Sequence, residues 1–168
     1  HMDALLLVDI QNDYFKRGVF PLAGMEKATK NAASLLEEFR SQGKPVIHIR
    51  HINEHPNAGF FRPDSLGSEI HTQVKPIAGE TVLIKHYPNS FRDTGLDALL
   101  KAQGIKTIHI VGAQTNMCID TTTRAGFDLG YRMVLHEGAC AARGFFGTKL
   151  IHRITVKTLG SVFAEVTK

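Results

Sequence analysis

Short segments rich in apolar residues, of which residues 4–8 are apolar throughout, alternate along the chain with segments in which apolar residues recur every three or four positions. The apolar-rich segments predict buried strands at residues 4–8, 46–49, 81–84, 105–111, 132–135 and 161–166. The periodic segments predict helices at residues 25–40, 96–103, 116–129 and 148–159. Because strands alternate with helices, we expect an α/β fold with a mostly parallel six-stranded sheet and helices on both faces.

The length and composition predict one ordinary globular domain over residues 1–168. The chain is 43% hydrophobic and 21% charged, as is typical of a soluble domain with a substantial core. His1, which precedes Met2, is interpreted as a cloning remnant. The formal charge of +4 is modest and its Lys and Arg residues are scattered, so no nucleic-acid partner is expected. No apolar run reaches membrane-spanning length and no signal-peptide pattern is present, so we expect no membrane partner.

The cysteine content favours a reducing compartment. The chain has two cysteines, Cys118 and Cys140, which are too few for a disulfide framework and would persist as free thiols in the cytoplasm. We therefore predict a cytoplasmic protein. Cys140 lies in an alanine-rich stretch and is predicted to be buried packing.

Three reactive side chains follow predicted strands. Asp9 comes after the first strand, Lys85 after the third and Cys118 after the fourth, and parallel strands place such residues at one ligand-binding edge of the sheet. Cys118 also opens a predicted helix, where the helix dipole and free backbone N–H groups lower a thiol pKa and can hold an oxyanion. Each residue also has a structural alternative: a cap for Asp9, a solvated strand end for Lys85, and a small buried hydrophobe for Cys118.

Three sequence segments occur in an order that is typical of one known family. The first is residues 7–15 (Leu-Val-Asp-Ile-Gln-Asn-Asp-Tyr-Phe), and the second is residues 85–94 (Lys-His-Tyr-Pro-Asn-Ser-Phe-Arg-Asp-Thr). The third extends from Gly112 through Thr115 and Cys118 to Gly130 and Tyr131. These segments resemble the motifs of the isochorismatase-like cysteine hydrolases, and the resemblance extends over nearly the whole chain.

The resemblance implies a Rossmann-like, three-layer α/β/α domain and a catalytic triad of Asp9, Lys85 and Cys118. It also implies a cis peptide bond between Ala113 and Gln114, with the backbone amides of Gln114 and Cys118 forming an oxyanion hole. Relatives are commonly oligomeric, so the resemblance further implies a homo-oligomer that acts on a small-molecule substrate.

The residues of the triad predict a cysteine hydrolase. We expect it to cleave an amide-type C–N bond of a small carboxamide, ureido or N-carbamoyl compound through a thioester. The cysteine favours an amidase over an enzyme that cleaves isochorismate, since members that cleave that vinyl ether are expected to lack the nucleophile. The alternative is a non-enzymatic α/β protein with a redox-sensing or structural cysteine. A flavodoxin-like binding module is disfavoured because residues 10–15 lack phosphate-cradling glycines.

The residues predicted to contact a substrate are His51, Tyr87, Ala113 and Phe15, although Phe15 considered by itself fits the core better. The segment 53–79 has little periodicity, as is typical of a functional loop. Its residues Phe60, Phe61 and Pro63 are predicted to form an apolar lid. Further aromatic candidates are Phe145 and Phe146. The candidates to pair with a substrate carboxylate are Arg50, Arg62 and Arg143.

Histidines near the second strand raise the question of a metal site; they are His48, His51, His55 and His71. Nicotinamidases, which resemble this chain, carry an Asp-x-His pair after that strand, where this chain has His51 and Asn53. Because the acidic ligand is missing and no tight ligand spacing replaces it, we predict no metal and no cofactor.

Overall fold

The computed structural model describes residues 2–144 and 149–168. Its strands are β1 (Asp3–Val8), β2 (Val46–His51), β3 (Thr81–Lys85), β4 (Thr107–Ala113), β5 (Arg132–Ala141) and β6 (Glu165–Thr167). Its α-helices are α1 (Met25–Ser41), α2 (Leu96–Ala102), α3 (Asp120–Asp128) and α4 (Leu150–Val162). All neighbouring strands pair in parallel, in the order β3-β2-β1-β4-β5-β6. The prediction of an α/β fold with a six-stranded, mostly parallel sheet is confirmed.

Strand β1 is apolar on both faces because both faces of the sheet are covered. Leu5 and Leu7 pack in a cluster with Leu36 and other residues of α1. Leu6 points to the opposite face, where it joins a cluster that includes Leu100 of α2 and residues of α4. A strand covered on both faces has no polar side to alternate with, which explains the continuous apolar run. The result is three layers, with α1 on one face and α2 and α4 on the other.

The order of the strands creates a crevice beside β1, in the position where parallel sheets usually bind ligands. The chain moves outward from β1 to β2 and β3, and then returns to place β4 on the other side of β1. Val8, the last residue of β1, lies opposite Ile49 of β2 and Gly112 of β4. Parallel sheets bind ligands where the strand order reverses, at the carboxyl ends of the strands. In this chain that point is occupied by the residues directly after β1 and β4.

The carboxyl-terminal boundaries differ from the prediction. Helix α4 extends to Val162, so Ser161 is helical and the last strand begins at Glu165 rather than at residue 161. The Ser161 hydroxyl donates to the Thr158 carbonyl, which satisfies an acceptor in the last turn of the helix. Strand β5 extends beyond residue 135 to Ala141. The predicted helix start at residue 148 lies outside the described residues, among which no helix is long and apolar enough to cross a membrane.

Candidate active site

Asp9 is held at the carboxyl end of β1 by its own backbone. Its φ of 55° lies in the left-handed region, which Asp tolerates better than most residues because its short side chain bonds locally. Its amide donates to the Ile49 carbonyl of β2 at 3.1 Å. The side chain is fully buried, so the carboxylate is held in a fixed position directly after the carboxyl end of β1.

Gln11, two residues later, joins this end of β1 to β2 and to the following loop. Its Nε2 donates to the carbonyls of His51 and Ser68, both at 2.8 Å, and its Oε1 accepts from the His51 amide at 2.8 Å. These bonds satisfy a buried amide side chain completely on both its donor and acceptor sides. The Asp-x-Gln spacing in the sequence therefore places the predicted catalytic carboxylate two residues before a side chain that joins β1 to β2 and the following loop.

Lys85 brings the three predicted catalytic residues together. It is the last residue of β3, lies opposite His51 of β2, and is 1% exposed. Its Nζ donates to Asp9 Oδ2 at 2.9 Å and to Cys118 Sγ at 3.3 Å, and contacts His51 Nδ1 at 2.7 Å. An ammonium has three protons to donate, and these three neighbours account for all of them.

Cys118 lies in a π-helical turn, Thr115–Ile119, that leads directly into α3. The Ile119 amide donates to the Gln114 carbonyl at 3.2 Å, which closes the wide turn. The peptide bond between Ala113 and Gln114 is cis, in agreement with the bond that the family resemblance implied. The predicted helix began at residue 116, so the turn that holds the thiol is a local feature that periodicity does not reveal. Such π-helical turns occur frequently at functional sites.

Burial of the sulfur disfavours the thiolate form of Cys118. Burial and the nearby charge of Asp9 raise the Cys118 pKa, and the ammonium of Lys85 offsets only part of this. Burial also opposes the charged form of Lys85, but its interactions with the neighbouring groups, led by the charge of Asp9, outweigh burial and raise the Lys85 pKa. The sequence led us to expect a lowered thiol pKa from the helix terminus, and burial in the folded protein reverses that direction.

One oxygen of the buried carboxylate is available as a proton acceptor. Asp9 Oδ2 accepts from Lys85, whereas Oδ1 is buried and has no hydrogen-bond partner among the residues that the structure describes. The thiol lies close to this carboxylate: a carboxylate oxygen of Asp9, a ring nitrogen of His51 and Cys118 Sγ all lie within 4.8 Å of one another. A buried acceptor without a partner is costly in a folded protein, and a nearby thiol proton or substrate proton would satisfy it.

His51 is neutral and is fixed in one orientation. Burial and the charge of Lys85 lower the His51 pKa. Its Nδ1 accepts from Lys85, and its Nε2 lies 2.7 Å from Asn53 Oδ1, so the ring carries its proton on Nε2. Asn53 Nδ2 in turn donates to the Phe60 carbonyl at 2.9 Å. The imidazole therefore links the lysine to the loop that forms the wall of the site.

A cavity of about 230 Å³ opens above Cys118. It is lined by Asp9, Tyr14, His51, Asn53, Phe60, Phe61, His86, Pro88, Gln114, Met117 and Cys118. Larger hollows elsewhere on the surface contain no member of the predicted triad. Asp9 and Cys118 of the predicted triad and Gln114 of the predicted oxyanion hole therefore line one small cavity, and Lys85 contacts both triad partners without lining it.

The predicted substrate-contacting residues divide into two groups. His51 lines the cavity, and buried Ala113 forms the cis bond with cavity-lining Gln114. Phe15 instead stacks on His71 with ring centroids 4.0 Å apart, and the exposed Tyr87 ring lies 3.5 Å from the Arg92 guanidinium. Neither Phe15 nor Tyr87 lines the cavity above Cys118 in the part of the chain that the structure describes.

The loop after β2 supplies the apolar wall that the sequence predicted as a lid. Phe60 and Phe61 line the cavity, whereas Pro63 does not. The Phe61 amide donates to Asp13 Oδ2 at 2.7 Å, and the Phe61 ring packs against Tyr14 with centroids 4.6 Å apart. Phe145 and Phe146 lie outside the described residues.

Sequence reasoning missed some of the wall residues, namely Asn53, His86, Pro88 and Met117. Pro88 lies in the second of the three motif segments and Met117 precedes the nucleophile, so a closer reading of neighbours of the predicted triad could have found them. His86 is the neighbour of Lys85 along the chain. Asn53 was considered in the sequence only as a departure from the Asp-x-His metal ligands of nicotinamidases, and the structure places it in the cavity wall.

Within the described part of the chain, the histidines in and after β2 do not come together as a metal site. His48 bonds Glu80 at 2.8 Å, His71 stacks on Phe15, and the His55 ring accepts from the Asn57 amide. Among the described residues, the one group with suitable donor spacing is Asp9, His51 and Cys118. The Lys85 ammonium contacts all three donors. A metal ion among them would face this positive charge at close range, so these residues do not fit a metal while Lys85 is charged.

The fold and the chemistry of this edge define a class of α/β hydrolases that act on small molecules. The profile of the Isochorismatase domain family matches residues 3–168. The chain is 48% identical over 138 residues to the isochorismatase family protein YddQ of Bacillus subtilis, covering 82% of this chain and 77% of that protein. The chain therefore belongs to the isochorismatase family.

Solved structures agree with this assignment. A protein from Oleispira antarctica, classed as an isochorismatase hydrolase, superimposes with a TM-score of 0.92 and 43% identity, covering 99% of this chain and 92% of that one. N-carbamoylsarcosine amidase from Thermoplasma acidophilum gives a TM-score of 0.87 and 27% identity, covering 99% of this chain and 95% of that one. The family thus includes enzymes that cleave C–N bonds on this same fold.

Proposed function

We propose that the protein is a cysteine hydrolase that cleaves an amide-type C–N bond of a small carboxamide, ureido or N-carbamoyl compound. The observation that carries this proposal is the meeting of Asp9, Lys85 and Cys118, with one Asp9 oxygen free beside the thiol. The likeness to N-carbamoylsarcosine amidase supports C–N cleavage as the reaction class. The predictions of a cytoplasmic location and of a homo-oligomer stand beside this proposal as expectations.

Formation of the acyl-enzyme begins with the transfer of the thiol proton to Asp9. Cys118 Sγ then bonds to the substrate carbonyl carbon, and the carbonyl oxygen becomes an oxyanion. The Gln114 and Cys118 amides are proposed to hold this oxyanion, a contribution of about 3 kcal/mol per donor in comparable sites. Asp9 returns the proton to the nitrogen, the C–N bond breaks, and a thioester remains with ammonia or an amine as the leaving group.

Hydrolysis of the thioester uses the same groups, with a water molecule in place of the thiol as the nucleophile. Asp9 accepts a proton from a water molecule, whose oxygen attacks the thioester carbonyl. The C–S bond then breaks and Cys118 regains its proton. Throughout both steps Lys85 stays charged, because its raised pKa keeps the ammonium beside whichever of Asp9 and Cys118 is negative. It thereby stabilises the thiolate as it forms.

The alternative of a structural or redox-sensing cysteine has less support. A merely structural Cys118 does not require a buried lysine and a buried carboxylate within bonding distance. Burying two charges carries a desolvation cost that well-packed apolar residues would avoid, which favours a catalytic role for this pair over a packing role. A redox-sensing cysteine is usually an exposed thiol with a lowered pKa, whereas Cys118 is 7% exposed and its pKa is raised.

The test is ammonia release from carboxamides, ureido compounds and N-carbamoyl compounds. We expect release with the unchanged protein and none with Cys118→Ala. Cys140→Ala is the matched control, because Cys140 is the other buried cysteine and lies in β5 outside the catalytic cavity. Release that survives Cys118→Ala, or full activity in Asp9→Asn, would contradict the proposed roles.

A further inference from the structure

The walls of the catalytic cavity are largely apolar. Its volume of about 230 Å³ is below the range of about 300–1,000 Å³ found for pockets that hold drug-sized ligands. The apolar and aromatic side chains of the wall are those of Tyr14, Phe60, Phe61, Pro88 and Met117. No lysine or arginine lines the cavity among the residues that the structure describes. The space suits a small molecule with a flat or aliphatic body.

Apart from Asp9 Oδ1, which is reserved for the reacting proton in the proposed mechanism, the polar side chains of His51, Asn53 and His86 in the wall already have partners within the protein. Both ring nitrogens of His51 and both ends of the Asn53 amide have partners within the protein. The Lys85 ammonium lies behind the wall and is paired with the Asp9 carboxylate. His86 at the rim contacts the Ile52 carbonyl and lies 3.4 Å from a Glu54 carboxylate oxygen. A substrate anion would find no uncompensated positive charge in this wall.

The arginines that the sequence offered as carboxylate partners lie elsewhere. Arg50 donates to the Ser68 carbonyl and hydroxyl, both at 2.8 Å. Arg62 is exposed, and Arg143 lies 5.4 Å from the centroid of the Phe20 ring. None of the three lines the cavity. The structure therefore gives no described residue the role of an anion clamp above Cys118.

We infer that the part of the substrate beyond the reacting amide is uncharged and mostly apolar, so that the protein takes small neutral aromatic or short aliphatic amides. This inference rests on the proposed function and selects among its substrate classes. Ureido acids and N-carbamoyl amino acids carry a carboxylate, which would lose its water in this cavity without gaining a partner. Burying an unpaired charge is strongly unfavourable, so these acids are poor substrates.

The first test compares amides that differ in charge and little in shape. 4-Nitrobenzamide and 4-carbamoylbenzoate form one pair, and butyramide and succinamate form another. We expect kcat/KM for the neutral member to exceed that of the acid by about 100-fold. Equal or faster Cys118-dependent hydrolysis of the acids would overturn the inference and leave the proposed hydrolase function intact. No Cys118-dependent hydrolysis of any amide would count against both.

The second test does not require turnover. Iodoacetamide and iodoacetate alkylate thiols, are similar in size, and differ by one negative charge. Mass spectrometry would follow alkylation of Cys118 by each reagent, with glutathione as the reference thiol. We expect the rate ratio of iodoacetamide to iodoacetate to be about 100-fold larger at Cys118 than for glutathione. A ratio equal to that of glutathione would overturn the inference, and resistance to both reagents would contradict the nucleophilic role itself.

A charge introduced at the rim should change this selectivity. Met117 lines the cavity and is 46% exposed, so Met117→Lys adds a cation near the reacting thiol. We expect this variant to reduce the preference for the neutral reagent about fivefold, as for a partly solvated charge pair. Met117→Gln, which is similar in size and uncharged, should keep the original preference. An equal change in both variants would show that shape, and not charge, controls entry.

Discussion

Removal of the Lys85 charge tests whether the three buried groups depend on one another. In Lys85→Met the side chain keeps an unbranched apolar stem that is one heavy atom shorter, but the contacts to Asp9, His51 and Cys118 are lost. The Asp9 carboxylate is fully buried and is left without its counter-charge. Breaking a buried ion pair by removing one partner costs about 3–5 kcal/mol. For a domain of this size that corresponds to a fall in the thermal midpoint of roughly 6–20 °C.

A double-mutant cycle separates this effect from general damage. Asp9→Asn alone should also destabilise, because it leaves the Lys85 ammonium buried and unpaired. The double variant Asp9→Asn with Lys85→Met buries no charge from this pair, so its loss of stability should be smaller than the sum of the two single losses by at least about 2 kcal/mol. Urea unfolding followed by circular dichroism measures all three free energies of unfolding.

The control is a surface pair of the same residue types. Lys101 and Asp97 form an exposed i,i+4 pair at 2.9 Å, in which the lysine side chain is 63% exposed. Lys101→Met should change the free energy of unfolding by less than about 1 kcal/mol. The reasoning is refuted if Lys85→Met costs no more than Lys101→Met, or if the losses for Asp9→Asn and Lys85→Met simply add.

Three further changes test other parts of the structure. Burial raises the Glu80 pKa, but hydrogen bonds led by Arg40 lower it overall to about 2. Glu80 therefore stabilises the fold at pH values above its pKa in the unfolded chain, and this stabilisation is lost as the pH falls toward 2. Glu80→Gln should lose about 2 kcal/mol at neutral pH and little in strong acid, as denaturation at several pH values would measure. Gly112 has a φ of 125°, and a Cβ there would collide with the Val8 carbonyl, so Gly112→Ala should lower the urea midpoint severely or prevent folding in an expression assay. Thr115 begins the π-helical turn that contains Cys118, and its hydroxyl lies 2.8 Å from His152 Nδ1. Thr115→Val should lower kcat about tenfold because the turn loses this hydrogen bond, with a small change in the melting temperature.

The sheet was readable from the sequence because its strands are buried on both faces. Residues 4–8 form a continuous apolar run and residues 108–111 are apolar at three of four positions, and each segment lies in a central strand of the parallel sheet. Once the strands were placed, the rule for parallel sheets brought Asp9 and Lys85 to the same edge. The structure places their side chains 2.9 Å apart. Buried strands thus carry enough local signal to locate groups that are distant in the sequence.

The cavity wall and the protonation of the thiol were not readable in this way. The position of Phe61 depends on a hydrogen bond to Asp13, 48 residues earlier in the chain. No local pattern encodes such a contact. The expected thiol pKa was wrong in direction because the helix terminus is visible in the sequence, whereas the burial of Cys118 is a property of the packed molecule. Gly160 and Ser161 resemble a helix end but are helical, because α4 extends to Val162.

Lys85 lies on β3, one of the two edge strands of the described sheet, so the Cys118 thiol depends for its ammonium partner on a strand that is paired on one side only. Asp9 and Cys118 follow the two central strands, whereas the lysine reaches them across β2. Outer strands open more easily than central ones during native-state fluctuations. Under the proposed mechanism, each opening of β3 would move the Lys85 ammonium away from Cys118 and inactivate the enzyme without unfolding the domain. Hydrogen exchange of the β3 amides would therefore report the fraction of molecules that are briefly inactive, a quantity that global stability does not reveal.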